Sequence, residues 1–170
     1  MLPVERLYLD TNIFILLAEG EHGPELNLLQ NLVRMVARKD ADRPFLCTSE
    51  FALAELLVHP LRNTDAALRQ VYQNWFVPGS PWLEIGPADR EVLVHAAWIR
   101  ALLPSVKMPD AIHLSTAVGF KCTHFLTRDM KLPDTVSIRD PLTNAPIVAS
   151  ELSIIQPTVE TLAGIVDSLS

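Results

Sequence analysis

The stretch KMPDAIHLSTAVGFKCTHFLTRD, residues 107–129, decides how the chain folds. It divides into a helix, a turn and a short strand, with an acid towards each end. Pro109 suits the first turn of a helix, where a missing N–H costs nothing, and Asp110 beside it meets the positive end of the helix dipole. Ala111, Ile112, Leu114, Ala117 and Val118 make the helix mostly apolar, and Gly119 supplies its stop signal. His124, Phe125, Leu126 and Thr127 follow as a strand, with Asp129 just beyond. A parallel strand delivers such a residue to the carboxyl edge of a sheet, where ligand sites of open α/β sheets lie.

Upstream, RLYLD (6–10) reads as an apolar strand ending in Asp10, and TNIFILLAEG opens a helix with Thr11 or Asn12 as its cap. Leu28, Leu29, Leu32, Val33 and Val36 give residues 25–39 helical spacing. KDADRP (39–44) is a polar loop, and FLCTS (45–49) a second strand. EFALAELLV (50–58) is a helix apolar nearly all round, interrupted inside by Glu55. Its neighbours at three and four residues are Phe51, Ala52, Val58 and His59, so the carboxylate needs a partner, with His59 and Arg62 nearest in sequence, or a metal. Residues 63–76 form another helix, capped by Asn63 or Thr64, whose Tyr72 and Trp75 read as core rather than as a base-stacking platform. WLEI (82–85) is a third strand. A long helix over 87–103 starts with Pro87, Asp89 and Glu91 and carries His95 as an ordinary interface histidine.

Downstream, TVSI (135–138) reads as an edge strand. Beyond residue 140 the chain is richer in Pro, Ser and Thr. At its end Val159, Leu162, Ile165, Val166 and Leu169 fall at helical spacing, for a helix that docks on the body or on a second subunit. Alternating strands and helices make the class α/β with a central parallel sheet.

A length of 170 residues, 49% of them hydrophobic, fits one folded domain with a sizeable core. The net charge of -6 argues against holding nucleic acid by bulk attraction, while leaving room for a local basic rim around an acidic metal site. Cys47 and Cys122 each sit in an apolar run, as buried thiols of a reducing compartment do. The start MLPVERLYLD lacks a signal-peptide pattern, and Glu, Arg or His breaks the apolar segments, so a cytoplasmic protein with no membrane span is expected.

Asp10, Glu55, Asp110 and Asp129 become chemically interesting together. Four acids in one cleft raise one another's pKa values unless cations sit between them. Oxygen-only ligation suits Mg²⁺ or Mn²⁺, which favour phosphodiester hydrolysis by orienting water and stabilising phosphate charge. Asn12 and Thr127 could hold a metal-bound water or a phosphate oxygen.

LDTNIF, SEFALAELLVHP, PDAIHLSTA and FLTRD, in this order and at these separations, resemble the PIN domain, in particular VapC-type toxin ribonucleases, over roughly residues 6–140. The resemblance implies a three-layer sandwich with a central parallel sheet of four or five strands flanked by helices, spanning residues 1–140, with 141–170 as a C-terminal extension. It also implies a Mg²⁺- or Mn²⁺-dependent endoribonuclease whose acidic quartet, catalytic and metal-binding, falls on Asp10, Glu55, Asp110 and Asp129. The polar residues of the family's first and last motifs fall on Asn12 and Thr127. A homodimer, an RNA substrate and a VapB-like antitoxin come with the same resemblance. Arg62, Lys107, Lys121, Arg128 and Lys131, close in sequence to proposed ligands, are candidates for the basic rim. Two rivals are a catalytically silent PIN-like module that binds RNA or protein, and a receiver-type phosphate acceptor. The second wants a paired acid near the first strand's partner and a lysine after a late strand, which this spacing does not supply.

Overall fold

The computed structural model describes residues 4–39, 45–146 and 151–169, so most of the polar loop expected at 39–44 lies outside the described residues. In chain order the elements are β1 (Leu7–Leu9), α1 (Thr11–Glu19), α2 (Pro24–Arg38), β2 (Leu46–Ser49), α3 (Glu50–Arg62), α4 (Ala66–Trp75), β3 (Leu83–Gly86), α5 (Arg90–Leu102), α6 (Met108–Gly119), β4 (His124–Leu126), β5 (Thr135–Val136), β6 (Leu152–Ile155) and α7 (Val159–Leu169). The strands form one sheet in the order β3-β2-β1-β4-β6-β5. Pairing is parallel from β3 through to β6, and β5 closes the edge antiparallel to β6. The chain thus forms the expected α/β sandwich, with TVSI supplying the edge strand.

Every residue of β1, β2 and β4 is buried, as befits strands covered on both faces. Successive side chains alternate between two cores. Leu7, Leu9, Leu46, Leu83 and Leu126 enter one, with Phe14, Leu29, Leu32, Leu56 and Leu162 from α1, α2, α3 and α7. Tyr8, Cys47, Phe125 and Leu152 enter the other, with Ala96, Ile99, Leu114 and Ala117 from α5 and α6. The aromatics of α4 belong to the first core: the Trp75 ring centroid lies 6.2 Å from Phe14 and 6.3 Å from Trp82.

Two helix boundaries differ from the sequence reading for the same reason. α3 continues through Pro60, and its end is closed by Asp65 N–H donating to Pro60 O at 2.8 Å, with Thr64 in the left-handed region at φ 57°. Asn63 and Thr64 therefore finish α3, and Asp65 caps α4 by accepting from Leu68 N–H at 2.9 Å. At the end of α6, Gly119 is the last helical residue and Lys121 takes the left-handed position at φ 57°. Cys122 N–H and Lys121 N–H close that helix onto Ala117 O and Val118 O, each at 2.9 Å.

The segment after residue 140 is woven into the sheet. β6, a strand that the sequence reading did not foresee, lies between β4 and β5, pairing Phe125 with Ile154 and Val136 with Leu152. α7 then packs beside α2, sending Leu162, Ile165 and Val166 into the first core, and Lys39 Nζ donates to Leu169 O at 2.6 Å. The sheet thus crosses the boundary expected at residue 140. We predict that a chain truncated after residue 150 loses cooperative thermal unfolding, because β4 and β5 would each lose a strand partner and the first core its α7 cover. A truncated chain that melts like the full-length protein would make the tail dispensable.

A candidate carboxylate site at the sheet edge

The chain builds outward from β1 through β2 to β3, then returns with β4 on the other side of β1. The strand order reverses between β1 and β4, and in open α/β sheets the crevice for a ligand lies at the carboxyl end of such a switch point. Asp10 follows β1, Asp129 follows β4, and Asp110 opens α6 above them.

Asp10 is the fixed point of this edge. Its N–H donates to Leu126 O at 3.1 Å, which fastens it to the end of β4. It, rather than Thr11 or Asn12, caps α1: Oδ1 accepts from Thr11 N–H at 2.7 Å. Oδ2 accepts from Asn12 Nδ2 and from the Thr127 hydroxyl, both at 2.6 Å. Asn12 Nδ2 also donates to Thr127 Oγ1 at 2.9 Å, and Asn12 Oδ1 accepts from Arg128 N–H at 2.9 Å. Thr127 Oγ1 accepts in turn from Asp129 N–H at 3.0 Å. The two polar residues are thus engaged in holding Asp10 and the 127–129 backbone.

Asp110 and Asp129 are half-buried. Burial pushes the Asp110 carboxyl up, and the charges of Asp10 and Asp129 push it further, while His113 and the Lys107 N–H pull the other way. The three aspartates therefore share one field, although Asp129 also turns Oδ1 to Lys131 N–H at 2.8 Å.

Glu55 is held differently. Its Oε2 accepts from Thr11 Oγ1 at 2.5 Å and lies 2.9 Å from His113 Nε2. These partners, not His59 or Arg62, answer its burial. Burial alone would raise its carboxyl, but hydrogen bonds from His113 and Thr11 together with the His113 charge outweigh it and hold the group below the ordinary range. Thr11, His113 and Tyr8, whose hydroxyl lies 2.8 Å from His113 Nδ1, are site residues that the sequence reading missed. The available signal was periodicity: His113 lies three residues after Asp110 on one helix face, and Tyr8 two before Asp10 on one strand face.

Among the described residues no three acid, histidine or cysteine side chains form a ready metal cage. The chemistry of the aspartate set nevertheless suits a hard divalent cation, since Asp110 is destabilised as an anion by the very charges a cation would neutralise.

Lys107, the N-cap residue of α6, and Arg128 and Lys131, flanking Asp129, are all exposed beside the acids. Arg62 is exposed two turns beyond Glu55, about 10 Å along α3. Lys121 does not belong with them. It follows the far end of α6 and precedes β4, at the opposite edge of the sheet, where it lines a cleft with Glu5, Arg6 and Lys39. His95 is half-buried at the α5 surface, with its ring 5.0 Å from that of Trp98.

The PIN domain family model matches residues 7–136. The chain belongs to the PIN domain family. As a PIN domain, a fold whose members are generally nucleases, it shares its architecture with several solved assemblies. One is VapBC2 from Rickettsia felis bound to a DNA fragment from their promoter, at TM-score 0.59 and 16% identity, covering 88% of this chain and 97% of that one. A toxin-antitoxin complex from Klebsiella pneumoniae matches at TM-score 0.55 and 19% identity, covering 90% and 98%. FitAcB from Neisseria gonorrhoeae matches at TM-score 0.55 and 17% identity, covering 74% and 88%. The comparison with curated proteins returns no match.

A PIN domain built this way should be more stable without its crowded carboxylate. For a carboxyl whose folded pKa is raised, the folded state binds the proton more tightly, so stability falls as pH rises from the unfolded value of 3.8 through the folded one. Asp110→Asn is therefore expected to raise the melting temperature of the metal-free protein at neutral pH. The gain should shrink below pH 3.8, where the wild-type carboxyl is protonated in both states. An Asp110→Asn variant that melts below wild type at pH 7 without metal would remove the repulsion from the account.

Proposed function

We propose that this PIN domain is a divalent-metal-dependent endoribonuclease that hydrolyses RNA phosphodiester bonds, and that it acts as the toxin of a toxin–antitoxin pair. The reading is carried by Asp10, Asp110 and Asp129 at the β1/β4 end of the sheet, where burial and then the charges of Asp10 and Asp129 push the Asp110 carboxyl up. Asp10, Asp110 and Asp129 would hold Mg²⁺ or Mn²⁺, with Glu55 completing the acid set from α3. The bound cation would supply charge neutralisation at the scissile phosphate and an activated water.

The chain's own residues have distinct parts in this reading. Asp10 is kept in place by three donors, Thr11 N–H, Asn12 Nδ2 and Thr127 Oγ1, so its geometry does not wait for the substrate. Such pre-organisation favours catalysis because the charge need not be reoriented during the reaction. Lys107, Arg128 and Lys131 rim the acids and offer phosphate contacts to a single-stranded or looped RNA; Arg62 extends the rim along α3. A local path of this kind is compatible with a chain of net charge -6. Likeness in fold to solved toxin–antitoxin complexes supports a VapB-like antitoxin as protein partner; a homodimer is proposed as the working unit.

A second reading, a silent PIN-like module that binds RNA or protein, draws on two observations. Glu55 is tied to Thr11 and His113, and the described acids form no ready cage.

Purified protein incubated with mixed transfer and messenger RNA separates the two. Cleavage with Mg²⁺ or Mn²⁺, lost in EDTA and lowered at least about 100-fold in Asp10→Asn or Asp110→Asn with the fold retained, is the expected result. Folded, antitoxin-free protein that binds RNA without cleaving it under either metal would favour the silent module.

A further inference from the structure

His113 is 1% exposed, and its ring is clamped edge-on by Tyr8 and Phe51, with centroids at 5.9 Å and 5.5 Å. Tyr8 is itself wholly buried and stacked on Phe125 at 4.9 Å, with the ring planes 8° apart. Both imidazole nitrogens are engaged: Nδ1 with Tyr8 Oη at 2.8 Å, Nε2 with Glu55 Oε2 at 2.9 Å and Thr11 Oγ1 at 3.2 Å. Asp10 Oδ1 lies 4.0 Å from the same Nε2. The geometry fits a Tyr8 O–H donating to Nδ1. A ring that accepts at Nδ1 carries its proton on Nε2, facing a carboxylate that can only accept.

We propose that His113 is a positioning residue of the site: it holds the Glu55 carboxylate at the acid crevice through Nε2–H, and Tyr8 sets the ring's tautomer and orientation. The inference rests on the nuclease reading given above in assigning Glu55 to the site. Three elements meet in this chain of bonds, Tyr8 from β1, His113 from α6 and Glu55 from α3. Phe51 of α3 packs against the same ring and on the core that α6 lines, so the two helices meet at His113. Thr11 adds a second donor to the same oxygen, Oε2, and among the described residues Glu55 Oε1 has no protein partner. The carboxylate is thus pinned by one oxygen, with the other left for a ligand. Groups that orient a ligating side chain in this manner change activity without touching substrate.

The test pairs kinetics with a readout that needs neither metal nor activity. In metal-free protein at pH 8, imidazole ¹⁵N spectra should show His113 as a single tautomer protonated at Nε2, giving way to exchanging tautomers in Tyr8→Phe. A proton on Nδ1, or two exchanging tautomers in wild type, overturns the proposal. In RNA cleavage, His113→Leu should lower kcat about 10- to 100-fold with KM for RNA near wild type, and His113→Gln, which can still donate to Glu55, should recover most of that loss. A folded His113→Leu protein within about twofold of wild type, or a folded His113→Gln protein as impaired as His113→Leu, overturns it too. Wild-type protein that fails to cleave RNA at all counts against the nuclease reading, and the spectra then decide the positioning role alone.

Discussion

Like charges brought to one edge of a sheet repel, and the rest of this molecule is arranged around that constraint. Asp10 tolerates its place because three donors converge on it, two from its own helix start and one from Thr127 across the β1/β4 pair. The same threonine receives the Asp129 N–H, so one hydroxyl spaces two of the acids. Asp110 has less support, and burial together with the Asp10 and Asp129 charges pushes its carboxyl up. Sites that keep such tension commonly trade stability for function.

The scaffold makes the crowding affordable by burying the strands on both faces. Alternating side chains of β1, β2 and β4 enter two separate cores, so the edge loops rest on a rigid base. β6 extends that base on the β4 side, and α7 covers the core that α1 and α3 share. The segment after residue 140 thereby supports the strand that delivers Asp129.

Much of this was legible in the sequence. The apolar strands, the acid after each of β1 and β4, and the helix opening at Pro109 and Asp110 are local patterns, and local patterns survive folding. What was not legible depends on tertiary partners. Glu55 was recognised as a carboxylate in need of company, but its partners, Thr11 and His113, are 44 and 58 residues away. β6 is only four residues long, with a serine inside it, and takes its strand character from its neighbours β4 and β5. Lys121 was grouped with the acids by closeness in sequence, yet a helix of twelve residues carries it about 18 Å from Asp110's end of α6.

The central claim is that the three aspartates and Glu55 form a place for a divalent cation. Anomalous diffraction from crystals soaked in Mn²⁺ tests it most directly. The account predicts a manganese peak bounded by Asp10, Asp110 and Asp129, with Glu55 Oε1 reaching it directly or through water, and no such peak in Asp10→Asn crystals. Wild-type crystals in which manganese sits elsewhere, or nowhere, while the crevice is open to solvent would contradict it.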